Sequence, residues 1–127
     1  MTTSELPAAV RASYDAKVAA LRAQLRALPP GAPVRLGKAT SNLFRVREPV
    51  TSPRLEVSGF DGVLHVDVAA QTADVLGMTT YEHLVDATLA HGLMPLVVPQ
   101  LKTITLGGAV TGLGIESTSF RAGLPHE

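Results

Sequence analysis

A chain of 127 residues, 46% apolar, with eleven basic against eleven acidic side chains and no cysteine, has the length and composition of one globular domain with a real core. The missing cysteines exclude disulfides, thiolate metal ligands and a cysteine nucleophile together. Basic charge is concentrated at the front, where Met1–Glu48 holds eight Lys/Arg and three Asp/Glu against three and eight in the rest, but no dense basic run forms and aromatic residues amount to 4%; nucleic acid is not expected as a partner.

No apolar stretch approaches the roughly 20 residues that span a bilayer, and the start of the chain lacks the basic-then-apolar layout of a signal peptide. A cytoplasmic protein without a transmembrane segment is the expectation. His65, His83, His91 and His126 are scattered, without the four-residue spacing that sets two ligands on one helical face, so no metal site is expected.

In chain order, Val10, Tyr14, Val18, Leu21, Leu25 and Leu28 recur at steps of three and four with Arg and Lys between them, which predicts an amphipathic helix over 6–28. Pro29, Pro30, Gly31 and Pro33 end it and form a junction, because proline lacks an amide proton and disfavours helical geometry before it. The expected organisation is a helix and Pro-rich junction over 1–33 and a second domain over 34–127. Val34–Leu36 reads as a short strand entering the polar turn Gly37–Asn42, and 49–53 as a loop. Val63–Val68 alternates with period two, as a half-buried strand does, and a second short strand is expected over 73–76. Thr79 with Glu82 three residues on is a capping box, so a helix should follow with Tyr81, Leu84, Val85, Thr88 and Leu89 on its apolar face and Gly92 at its close. Leu93–Val98 reads as a strand interrupted by Pro95. The order strand, helix, strand suggests a crossover unit in an α+β domain.

The segment that carries chemistry begins with the β-like run Thr103–Leu106 and continues as Gly107–Ser119, thirteen residues of which four are glycine. Glycine admits positive φ and removes the Cβ that would hold a ligand off the chain, so several amides can converge on an anion, phosphate above all. Thr111, Ser117, Thr118 and Ser119 add neutral hydroxyl donors. The alternative is that these glycines only permit tight turns and close strand packing. Gly-x-Gly-x-x-Gly is not met, since Ser117 stands three after Gly114, and a Walker pattern is absent because Leu113, not lysine, follows Gly112. An ordinary NAD site and P-loop phosphoryl transfer are therefore disfavoured.

Pro95-Leu96-Val97-Val98-Pro99, followed by Thr105-Leu106-Gly107-Gly108 and Gly112-Leu113-Gly114-Ile115-Glu116-Ser117, resembles the FAD-binding PCMH-type (vanillyl-alcohol-oxidase-like) flavoprotein family. The Ile115-Glu116-Ser117 ending is closest to its Delta(24)-sterol reductase-like branch. The likeness covers roughly 34–127 and is most specific from Pro95 to Gly123. It implies an N-terminal helix followed by a small mixed α/β FAD-binding subdomain, of which 34–127 would be the N-terminal half. By that resemblance Thr105, Leu106, Gly107, Gly108, Ala109, Thr111, Gly112, Gly114, Ile115, Glu116 and Ser117 would lie along the FAD diphosphate and toward the flavin ring, with the Gly107 and Gly108 amides as chief donors. Glu116 would bond a ribityl or ribose hydroxyl, or pair with Arg121, or stand solvated at a helix start. Lys38, Thr40, Ser41 and Asn42 would form a second cofactor loop, with Lys38 and Arg45 either neutralising the diphosphate or lying solvated. Many relatives carry there a histidine bonded to the flavin; its absence here implies non-covalent FAD.

The function so implied is the FAD-binding portion of a flavin-dependent oxidoreductase, in which the cofactor carries out hydride transfer. A small-molecule or lipid-like substrate would enter through a domain beyond this chain, and the chain alone would be inactive. The competing expectations are a non-catalytic module for a phosphorylated ligand or protein partner, and a truncated product without activity of its own.

Overall fold

The computed structural model describes residues 6–38 and 51–125. They fall into two compact units that divide at Gly59 and Phe60, so the Pro-rich stretch lies inside the first unit. Helices and small sheets are mixed in the fold, with a helix at the N-terminus.

The first unit holds α1 (Ala8–Arg26), β1 (Arg35–Gly37) and β2 (Arg54–Glu56). Val10, Tyr14, Val18, Leu21 and Leu28 are half-buried, as their spacing predicts. No α1 residue is fully buried, and Leu25, expected on the same face, is 54% exposed. The Gln24 side chain accepts the Glu56 amide at 2.8 Å, which ties the helix to β2. β1 and β2 run parallel, with Leu36 opposite Leu55; the first is the strand expected at Val34–Leu36, moved by one residue.

The second unit opens with an antiparallel hairpin of β3 (Val63–Asp67) and β4 (Thr72–Val75). Its strands stand where the sequence puts them, but all five β3 residues are half-buried rather than alternately in and out. Among the described residues β3 pairs with β4 alone, with a register shift between Val63 and His65, and a two-stranded ribbon of that kind seals neither face. At the turn Asp67 Oδ1 accepts the Ala70 amide at 2.9 Å.

The helix α2 (Tyr81–Leu89) begins one residue later than the predicted box. Thr80 is its cap, accepting the His83 amide at 3.3 Å. Thr79 is instead fully buried, its hydroxyl accepting from the Gly62 amide at 2.8 Å and donating to the Gly62 carbonyl at 3.0 Å. Glu82 does not reach back to a cap; its carboxylate meets the Lys102 ammonium, and this contact holds the lysine's pKa above its ordinary value. Tyr81, Leu84 and Thr88 face inward, whereas Leu89 is 52% exposed. Gly92 does adopt the left-handed conformation, φ +71°, and the helix closes there.

Two expectations fail beyond α2. Leu93–Val98 forms no strand, and there is no strand–helix–strand crossover, since among the described residues the hairpin precedes α2 and no strand follows it. Pro95 and Pro99 lack the amide a ladder needs, and the edge of the 77–82 segment is already taken by 102–107. The Tyr81 amide donates to the Ile104 carbonyl at 2.9 Å and the Glu82 amide to the Lys102 carbonyl at 3.0 Å. Tyr81, Leu84 and Ala109 make the core, with Val63, Val75, Val98, Ile104 and Leu106 packed around it.

Candidate functional site

The glycine run is not an open loop at its start. Thr105 is extended and caps a short helix, α3 (Leu106–Thr111), its Oγ1 accepting the Gly108 amide at 3.2 Å. The other early amides also have acceptors within the chain. Leu106 donates to the Thr79 carbonyl and Gly107 to the Gly77 carbonyl, both at 2.8 Å, and Ala109 donates to the Thr105 carbonyl at 2.9 Å. The amides expected to be chief donors to a diphosphate, those of Gly107 and Gly108, are thus turned to Gly77 and Thr105. Packing accounts for glycine at 107, where a Cβ would stand 2.8 Å from the Gly77 carbonyl oxygen, inside any tolerable contact. Close approach of backbones, the alternative reading of the run, describes this end of it.

The far end is different. Thr111 Oγ1 donates to the Gly107 carbonyl at 2.8 Å, and the Gly112 amide reaches the Gly108 carbonyl at 2.9 Å. Leu113 then takes φ +50°, and the Gly114 amide returns to the Ala109 carbonyl at 3.0 Å, so that a leucine occupies the left-handed closing position where glycine is the usual residue. Ile115, Ser117 and Thr118 follow as an exposed turn, which leads into the single turn α4 (Ser119–Ala122). Among the described residues no acceptor stands against the amides of Ile115, Ser117 and Thr118. The hydroxyls of Ser117 and Thr118 are beside them.

Glu116 is held by the chain itself and not by Arg121. Its amide donates to Ser119 Oγ at 3.0 Å, and its Oε1 accepts the Gln100 amide at 3.2 Å, which fastens the turn to the end of the Pro95–Pro99 segment. No ion pair joins it to Arg121 among the described residues. The Tyr81 phenol has its pKa raised, first by burial and then by the Glu116 charge.

The structure therefore brings Thr105 to Ser117 together as one helix-and-turn, with Leu106 and Ala109 turned toward the core. Lys38 is half-buried at the end of β1 in the first unit. Thr40, Ser41, Asn42 and Arg45 lie outside the described residues. Sequence reasoning missed the seat of the run: Gly77 and Thr79 supply its carbonyl acceptors, and Gln100 holds Glu116. A glycine just ahead of a helix cap is the one signal that pointed to Gly77.

Among the described residues no three His, Asp or Glu side chains come together to hold a metal ion, and no helix is long and apolar enough to cross a membrane. Comparison with protein-family models, with curated proteins and with solved structures finds no match to this chain.

Proposed function

We propose that the chain is the FAD-binding portion of a cytoplasmic flavin-dependent oxidoreductase. The observation that carries this reading is the exposed turn over Ile115–Thr118, where, among the described residues, three amides without protein acceptors stand with two hydroxyls, in the segment that resembles the diphosphate stretch of that flavoprotein family. Convergent amides and hydroxyls bind anionic oxygens without burying a charge. The diphosphate contact moves accordingly from Gly107 and Gly108 to Ile115, Ser117 and Thr118, while α3 sets the angle at which the turn leaves the core. Bound FAD supplies the hydride chemistry; the chain's own residues hold and orient it.

A second reading, a module without redox role for a phosphorylated ligand, draws on the same turn, because its free amides suit one phosphate as well as a diphosphate. Fluorescence titration of FAD with the purified chain, repeated with ADP and riboflavin as competitors, separates the two. FAD binding that ADP weakens and Ile115→Pro reduces by about tenfold or more, the loss of one charge-assisted hydrogen bond, fits the proposal. Phosphorylated ligands displacing each other with no preference for the flavin favour the module, and no response to FAD at any concentration sinks the FAD reading.

A further inference from the structure

A concave feature of the second unit is left unused by the glycine run. A cavity of about 220 Å³ opens between the hairpin, α2 and the segment after Gly92. Val66 and Val75 line it from the hairpin, Leu84 and Thr88 from α2, and Leu96 and Leu106 close it. None of its lining side chains is charged; the Thr88 hydroxyl donates to the Leu84 carbonyl of its own helix at 3.1 Å, and the other polar groups of the lining, Gln71 and Thr72, are exposed residues of the hairpin, so the wall is mostly apolar and holds no counter-charge for an ion. At the mouth, Leu96 is 78% and Met94 58% exposed, in a stretch without regular structure that can adjust to an occupant.

We propose that this cavity binds a small, uncharged, apolar molecule the size of a single substituted ring. Size and polarity fix the class. An apolar cavity of roughly 150 Å³ accepts benzene, and this one has room for a ring with one or two substituents. A charged ligand would lose hydration with no opposite charge to replace it, while a neutral one would also cover the Leu96 and Met94 side chains that now face water. The cavity shares only Leu106 with the run assigned to FAD, so the two sites answer to different ligands.

The test is an NMR titration of the isotope-labelled chain with toluene and with benzoate, its charged counterpart. Toluene should give saturable shifts at Val75, Leu84 and Leu96, with benzoate about tenfold weaker or worse. Ala73→Trp, at an exposed position of β4 on the cavity wall, should fill the space and remove the response. Leu96→Asp, on the exposed rim, should weaken it without touching the core and serves if the tryptophan variant does not fold. The proposal is overturned by the absence of a saturable response, by equal binding of benzoate, by an unchanged response in both variants, or by shifts at the same residues that depend on protein concentration without ligand, which would mean a second copy fills the cavity. FAD fluorescence measured on the same samples separates failure here from failure of the flavin reading.

Discussion

Thr79 shows how much one hydroxyl can settle. It has no exposed surface, yet its oxygen both accepts from and donates to Gly62, while its carbonyl receives the Leu106 amide. The side chain thus fixes the entry to β3 and the backbone fixes α3. Thr79→Val keeps the volume but strands the Gly62 amide, and a buried donor without an acceptor costs about 1–3 kcal/mol. The unfolding free energy from a denaturant titration should fall by that amount, and Thr79→Ser, which restores the oxygen, should recover most of it. Sequence reasoning placed Thr79 at the helix cap because threonine followed by glutamate three residues later has that signature. Thr80 satisfies the same geometry one step along, and the burial that decided between them is a tertiary effect no local pattern carries.

At the scale of elements, short segments with strong local rules were the legible ones. α1 follows from its apolar spacing and the prolines after it, β3 from the period-two alternation of its sequence although its burial does not alternate, and the close of α2 from Gly92. Leu93–Val98 was misread because an apolar run says only that side chains avoid water; Pro95 within it and Pro99 directly after it settled that no ladder forms. The glycine run was half-legible, since its phosphate-friendly composition also suits a helix start pressed against Gly77, and only the long-range bond from Gly107 distinguishes them. The end of α3 gives an element-level prediction. Leu113 holds φ +50° while 59% of its surface is exposed, so packing does little to offset a left-handed conformation that costs a non-glycine residue about 1 kcal/mol. Leu113→Gly should raise the stability of the second unit by about that much in thermal or chemical unfolding, and a loss of stability would mean the leucine packs more tightly than its exposure indicates.

For the molecule as a whole, the core of the second unit gathers on Tyr81, which is 2% exposed. Burial and the neighbouring Glu116 charge raise its pKa above the ordinary phenol value of 10.0. The folded state therefore favours the neutral phenol. That contribution is fully present below the unfolded pKa and is lost as pH rises from about 10 through the higher folded value. Alkaline unfolding followed by circular dichroism should begin above about pH 10, and Tyr81→Phe, which cannot ionise, should shift its onset upward; an unchanged onset would assign alkaline unfolding to other groups. The mixed class and the N-terminal helix could be read from composition and periodicity. How the second unit closes could not, because its central contacts join residues twenty or more positions apart.

Those contacts run between 77–82 and 102–107, where the Gly107, Leu106, Tyr81 and Glu82 amides meet carbonyls across the gap. The polypeptide from His91 to Gln100 adds covalent continuity to a seam that backbone hydrogen bonds and the Tyr81–Ala109 core already hold. A protease cut near the exposed Met94 or Leu96 should therefore leave two peptides that migrate as one species on native gels and part only in denaturant, making the second unit a candidate for reconstitution from two separately expressed halves.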